Sequence, residues 1–409
     1  MSHPVAEIFS QGEEVICGQI ADTNAAWLSQ RLVQMGFVIA RHTAVGDKLQ
    51  DLCDLLLEIS GRADFCLCTG GLGPTIDDLT AQAVAKAFDC PLQLDPVALA
   101  QIELYFSNRN KIMADSNRTQ ACFPKGAMRL DNAWGTAPGF ALQHKRCWFV
   151  FVPGVPTEMR HMFNDHIQTE LEKRFVLQAD KLITIKTSGI GESDLQQKLN
   201  DFCLPDNVQL GFRAAPDEVQ TKVLFPVDTA DSVIQDCIKR LAQKIGNPVF
   251  AIDQPNASPS DLVSVIAQLM LENKQTLSVL ETVSQGLISA KCIGQDWLKD
   301  ACYKQSINQF IAELGINQQA DIAKTAVAVA KKLKENHNSD LILLQLCQDQ
   351  SDKEKLHDKQ KSIVIYNVLL TPGGIYQETR TVTGPIKRKQ HQAAIRALDL
   401  LRRYLQKCL

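Results

Sequence analysis

The chain predicts an α/β protein: a first domain with a parallel sheet and crossover helices, a small α+β segment and a second α/β domain. Three observations carry this. Residues 5 to about 170 alternate apolar strand-like runs with helix-period segments, the pattern of a parallel sheet with crossover helices. Residues 178 to 252 change character and read as two helices and a hairpin. After a stretch rich in Pro, Asn and Ser at 254–260, the α/β alternation resumes. The expected boundaries are 1–174, 175–253 and 254–409.

Taken in order, Val5–Phe9 reads as a short strand. Thr23–Met35 has helical period, with Gly36 placed to end it. Phe37–Ala44 and Leu49–Ser60 form the next strand and helix, and Phe65–Cys68 is a buried strand running into a glycine-rich turn. Cys66 and Cys68 share one face of it as core thiols. Leu79–Phe88 reads as a helix. Trp148–Val152 is a very apolar strand ended by Pro153-Gly154-Val155-Pro156, which opens a helix through Glu158, Met159 and Met162.

The middle segment has a strand at Lys181–Thr187, a helix at Ser193–Phe202, a hairpin from Val208–Arg213 and Glu218–Val227, and a helix at Asp231–Lys244. It carries no chemical constellation. A nucleic-acid-binding KH domain needs a G-x-x-G loop with basic neighbours, and Gly189-Ile190-Gly191-Glu192 is not that. Beyond the linker, Leu262–Leu271, Thr282–Lys291, Ala320–Leu333 and Lys387–Leu405 read as helices. Thr276–Leu280, Leu341–Leu346 and Ile363–Leu370 read as strands. Residues 349–361 are charged and aperiodic.

The chemistry concentrates in Thr69-Gly70-Gly71-Leu72-Gly73-Pro74-Thr75-Ile76-Asp77-Asp78. A glycine turn between strand and helix lets backbone N–H groups approach phosphate oxygens, and in open parallel sheets ligands sit at the carboxyl ends of the strands. Asp77 and Asp78 can hold a divalent cation against those oxygens. No Lys-Ser/Thr follows the glycines and the third dinucleotide-fingerprint glycine is missing, which removes the two stock nucleotide motifs.

Composition limits the alternatives. With 43 basic and 46 acidic residues the formal charge is −3, so charge gives no case for nucleic-acid or membrane binding. No run reaches transmembrane length. The 13 cysteines are odd in number, irregularly spaced and free of C-x-x-C pairs, which fits a reducing cytoplasm and neither disulfide framework nor zinc site.

Several ordered segments together resemble the competence/damage-inducible protein A (CinA) family over nearly the whole length: Gly12-Glu13-Glu14, Gly18 to Asn24, Val45-Gly46-Asp47, Thr69 to Asp78, Asn117 to Pro124, Gly135 to Gly139 and Pro153 to Pro156. The resemblance implies a molybdopterin-binding-like first domain, a three-layer α/β/α sandwich, that hydrolyses ADP-ribose to AMP and ribose 5-phosphate with Co²⁺, Mg²⁺ or Mn²⁺. It implies a homodimer with a small nucleotide as substrate. Asp77 and Asp78 are then the catalytic and metal-holding residues. Thr69, Gly70, Gly71, Gly73, Pro74, Thr75, Asn24, Asp47, Thr136 and Gly154 are the substrate-binding candidates. Asp47 either reaches the metal or caps the following helix. Pterin adenylylation, by fold analogy, and a non-enzymatic nucleotide- or pterin-binding scaffold are the alternatives.

The C-terminal region resembles the CinA domain that deamidates nicotinamide mononucleotide, yet departs from it at each reactive position. Where active members carry E-S-C-T-G-G, this chain has Glu281-Thr282-Val283-Ser284-Gln285-Gly286, with Thr282 at the nucleophile position and Ser284 as an alternative hydroxyl. The tyrosine and lysine of Y-S-N-E-A-K become Gln305 and Phe310, with Tyr303 and Lys304 nearby but out of register. Cys347-Gln348-Asp349-Gln350 replaces a glycine-rich loop. A non-deamidating domain is expected.

Overall fold

The computed structural model describes residues 3–255, 257, 260–316, 322–347 and 353–409. Contacts divide the chain into two compact units, residues 1–180 and 181–409.

The first unit is built on a six-stranded sheet. β1 (Val5–Gln11), β2 (Val38–Val45), β3 (Phe65–Thr69) and β8 (Cys147–Val152) run parallel in the order β2-β1-β3-β8. β7 (Gly139–His144) and β6 (Met128–Leu130) continue it antiparallel, while β4 (Leu92–Leu94) and β5 (Cys122–Pro124) make a separate ribbon. Strands buried on both faces are near-continuously apolar, as a doubly covered sheet requires. The alternation of β3 sorts the two cores. Phe65 and Leu67 join Leu28, Leu32, Met159 and Met162 on one face. Cys66 and Cys68 join Leu52, Leu56, Val84 and Ile102 on the other. Burial pushes both thiols up, so they are inert core groups. This is the expected three-layer α/β/α arrangement.

A short helix, Glu13–Ile16, precedes the helix Thr23–Met35, which ends in left-handed Gly36, φ 106°, where a glycine avoids the Cβ penalty. The following strand is displaced by one residue, to Val38–Val45, because the cap consumes Gly36 and Phe37 returns into the core.

In the second unit, β9 (Lys181–Thr187), β10 (Gln209–Ala214), β11 (Val219–Phe225) and β12 (Val249–Asp253) form a sheet ordered β10-β11-β9-β12. The helices Glu192–Leu199 and Asp231–Ile245 supply its apolar cover through Leu195, Leu199, Ile238 and Leu241. A second sheet, β14-β13-β15-β16-β17, comprises β13 (Leu277–Glu281), β14 (Leu298–Tyr303), β15 (Leu341–Cys347), β16 (Ile363–Thr371) and β17 (Gly374–Val382). The long helix Ile386–Leu405 packs on it through Ala394, Ala397, Leu398 and Leu401.

One expected helix is shorter. Thr282–Lys291 is helical only over Leu287–Lys291, since Gln285 (φ 53°) and Gly286 (φ 87°) turn the chain out of helical geometry. Part of the expected linker (256, 258 and 259), the start of the helix expected at Ala320, and 348–352 lie outside the described residues. Within the charged stretch, Lys353–His357 forms a short helix. Among the described residues no helix is long and apolar enough to cross a membrane.

Candidate functional site

Four parallel strands deliver their carboxyl ends to one edge of the first sheet. β2 is followed by Gly46-Asp47, β1 ends on Gln11, β3 leads into Gly70 and β8 into Pro153-Gly154. A cavity of about 490 Å³ opens there. Of the residues expected to form the site, Gly70, Gly71, Gly73, Pro74, Asp47, Asp77, Asp78, Thr136 and Gly154 line it. The strand order dictates this meeting.

The glycine turn is held open from below. Gly70 (φ 97°) donates its N–H to the Val152 carbonyl at 3.0 Å, and Gly71 has φ 66°. A Cβ on Gly71 would strike the Gln11 and Thr80 side chains, and one on Gly73 the Asp78 carboxylate. Gln11 is the hub beneath the turn. Its amide nitrogen donates to Asp47 Oδ1 at 2.8 Å and to the Asp77 carbonyl at 3.3 Å, while its amide oxygen accepts from the Thr80 hydroxyl. From above, Gln120 donates to the Leu72 carbonyl at 3.2 Å and is itself held by Asn117. Among the described residues, the backbone N–H groups of Gly71, Leu72 and Gly73 have no protein partner. Successive free amides with left-handed backbone beside them are the elements of an anion-binding concavity.

The carboxylates behave differently from one another. Asp78 accepts from Thr75 N at 2.8 Å and from Thr75 Oγ1 at 2.5 Å, closing the turn. The Thr75 hydroxyl beside it also holds the Asp77 carboxyl below its ordinary range. Asp47 accepts from Gln11 and from the Glu13 N–H at 3.2 Å. Asp47 gives no side-chain cap to the helix Leu49–Arg62, whose N-cap is Lys48.

Among the described residues no group of three or more His, Cys, Asp or Glu side chains forms a complete protein metal cage. Adjacent Asp77 and Asp78 at the cavity wall instead suit a hard cation whose remaining ligands are phosphate oxygens and water.

Three expected contact residues sit one step back. Thr69 is buried, its hydroxyl 3.5 Å from that of Ser10. Thr75 serves Asp78. Asn24 is buried and donates to the Gly154 carbonyl at 2.7 Å, tying the helix Thr23–Met35 to the Pro-Gly-Val-Pro loop. Sequence reasoning missed Gln11, Glu14, Gln120 and Glu158, all of which line the cavity. Gln11 and Gln120 carried a signal, since each lies in or beside a quoted motif. Glu158 is met only through folding, and Asn132 donates to it at 2.8 Å.

The loop Glu281–Gly286 also follows a strand end, yet it is closed. Glu281 is fully buried and accepts from Ser284 Oγ and Ser289 Oγ at 2.6 Å, and from the N–H groups of Ile288 and Ser289 at 3.1 Å. Thr282 is buried and donates its hydroxyl to the Gln345 carbonyl at 3.2 Å. Phe310 sits in the core with Leu280, Ile307 and Leu344. Gln305 is exposed, its N–H on Gln309 at 3.1 Å. Lys304 pairs with Glu313 at 2.6 Å, which raises its pKa and keeps it protonated.

A glycine turn with free amides and carboxylates at the strand ends of a covered α/β/α sheet lies where such sheets place their ligands. Residues 7–173 match the model of a probable molybdopterin binding domain, and 183–251 that of the damage-inducible protein CinA KH domain. The second match makes the middle segment similar to the KH domain of CinA proteins, while its sequence carries no G-x-x-G loop. The chain is 31% identical to a CinA-like protein of Shewanella sediminis, covering 98% of this chain and 95% of that one. It is 34% identical to a CinA-like protein of Shewanella baltica over 79% and 76% of the two. It also matches a solved CinA protein of unknown function from Thermoplasma acidophilum, at 27% identity and a TM-score of 0.39, over 41% of this chain and 98% of that one. The chain belongs to the CinA-like family.

Proposed function

We propose that the first domain hydrolyses ADP-ribose to AMP and ribose 5-phosphate with a divalent cation, and that the C-terminal domain does not deamidate nicotinamide mononucleotide. The observation that carries the first part is the single cavity joining the free amides of Gly71–Gly73 to Asp77 and Asp78. Its lining contains five carboxylates, Glu14, Asp47, Asp77, Asp78 and Glu158, and neither Lys nor Arg. Such a wall repels a bare diphosphate and favours one that arrives with a cation.

A cation held by Asp77 and Asp78 would supply charge neutralisation as the bridge between the phosphates breaks. The amides of Gly71–Gly73 hold non-bridging oxygens. Glu158, fixed by Asn132, accepts the proton of the attacking water. That water adds to one phosphorus, the bridging P–O bond breaks, and each product leaves with one phosphate.

The second part is supported by the engaged hydroxyls of Thr282 and Ser284 and by Phe310 in the core. The two-subunit assembly the family resemblance implies belongs to the same reading and is checked by light scattering.

The test incubates the purified chain with ADP-ribose and, separately, nicotinamide mononucleotide, across Mg²⁺, Mn²⁺ and Co²⁺, and resolves the products chromatographically. AMP without nicotinic acid mononucleotide is the expected result. Deamidation without AMP reverses the assignment of the two domains, and neither product leaves a binding scaffold.

A further inference from the structure

The cavity at the strand ends can hold phosphates and a cation, but no aromatic side chain lines it to stack a base. A second cavity, about 290 Å³, adjoins it. Thr136 lines both. The turn that separates them is fixed by one side chain. Asn132 accepts the N–H groups of Trp134 at 3.0 Å and Gly135 at 3.1 Å, and donates to the Ala137 carbonyl at 2.9 Å and to Glu158. A Cβ on Gly135 would run into the Glu158 carboxylate, so the wall has no spare thickness there.

The second cavity has what the first lacks. The Arg109 guanidinium lies 3.6 Å from the centre of the Tyr105 ring, and Arg109 Nη1 donates to the Tyr105 carbonyl at 3.2 Å. These are its contacts among the described residues. The nearby acid, Asp131, is paired instead with Arg129 at 2.6 Å. A guanidinium backed by an aromatic ring and free of a carboxylate offers a planar cationic face on which a purine stacks. Asn108 in the same lining adds an amide donor and acceptor for a base edge.

We infer that this second cavity, with the Arg109–Tyr105 pair as its platform, binds the nucleoside half of a nucleoside diphosphate compound whose phosphates lie at Gly71–Gly73. The assignment rests on the function proposed above for the first cavity. It makes Arg109 a binding residue that sets specificity and takes no part in bond breaking.

The experiment is calorimetric titration of the full chain, in Mg²⁺, with AMP and inorganic pyrophosphate, comparing wild type with Arg109→Ala, Arg109→Lys and Tyr105→Ala. Arg109→Ala is expected to weaken AMP about tenfold and to leave pyrophosphate within about twofold. Arg109→Lys is expected to lose nearly as much, because it keeps the charge without the plane. Unchanged AMP affinity in Arg109→Ala, or an equal loss for pyrophosphate, overturns the inference. Its failure and that of the proposed reaction separate in turnover assays. AMP release at unchanged KM in Arg109→Ala removes the subsite and keeps the reaction. A selective loss of AMP binding in a chain that never cleaves ADP-ribose keeps the subsite and removes the reaction.

Discussion

Two strand-end loops of this chain start from similar material and finish in opposite states. Gly70–Asp78 and Glu281–Gly286 each follow a buried strand and each use a left-handed glycine. In the first, the polar atoms that could meet a ligand remain available: the amides of Gly71–Gly73 lack protein partners among the described residues, and Asp77 is exposed. In the second, Glu281 satisfies four donors of its own domain, and the Thr282 and Ser284 hydroxyls are engaged. A polar motif therefore reads as a binding site or as a structural knot according to where its hydrogen bonds go.

The sharpest way to break this comparison is Asp78→Asn. The amide oxygen can still accept from Thr75, so the turn persists while the charge at the cavity is lost. ADP-ribose turnover should fall by roughly 10²–10³-fold, with the thermal midpoint nearly unchanged. Wild-type turnover in this variant would remove Asp78 from the reaction.

Glu281→Gln tests the other loop. An amide can satisfy the same donors only in part and brings a buried NH₂ of its own, so the second unit should lose about 2–3 kcal/mol, read by denaturant unfolding. ADP-ribose turnover should be unaffected. Thr282→Ser is the companion variant: restoring a primary hydroxyl should produce no nicotinic acid mononucleotide, because the surrounding loop remains closed and Phe310 still fills the core. Deamidation by Thr282→Ser would show that the loop opens.

Gly71→Ala should cost at least about 1 kcal/mol of stability, since its φ of 66° disfavours a Cβ that would also meet Gln11 and Thr80. Its larger signature is in binding, where pyrophosphate affinity should drop about tenfold. Intact binding would mean that the phosphates do not lie against this turn.

The parallel strands and the glycine turn were legible because period and punctuation are local properties. Thr23–Met35 with Gly36 needs no tertiary information. Glu158 and Asn132 were invisible as site residues, because their meeting depends on the helix after Pro156 packing beside the Asn132–Gly135 turn. The early end of helical geometry before Leu287 was equally hidden: residues 282–286 satisfy Glu281 and Gln345 rather than their own i−4 carbonyls. In the C-terminal domain, the exchange of Lys for Phe310 was visible as a loss of chemistry, but only the packing with Leu280 and Ile307 shows what the position gained.

The smallest expected effect lies at the opposite ends of the strands that carry the closed loop. Asp340 precedes β15 and accepts from Thr276 N and Thr276 Oγ1, both at 2.8 Å, while its own N–H returns to that hydroxyl at 3.0 Å. The Thr276 hydroxyl and amide hold the Asp340 carboxyl below its ordinary range. A carboxyl whose folded pKa is depressed favours the folded state wherever the unfolded chain would already be ionised, above about pH 4. That contribution fades as the pH falls through the lower folded value. The wild type should therefore lead Asp340→Asn in unfolding midpoint at pH 6, and the gap should narrow as the pH approaches 3. A gap that stays constant would mean that the clamp acts through its hydrogen-bond geometry alone and not through the charge of Asp340. The stability of the closed loop's sheet would then rest on packing, in contrast to the first cavity, where the proposed reaction works through the charge of Asp77 and Asp78.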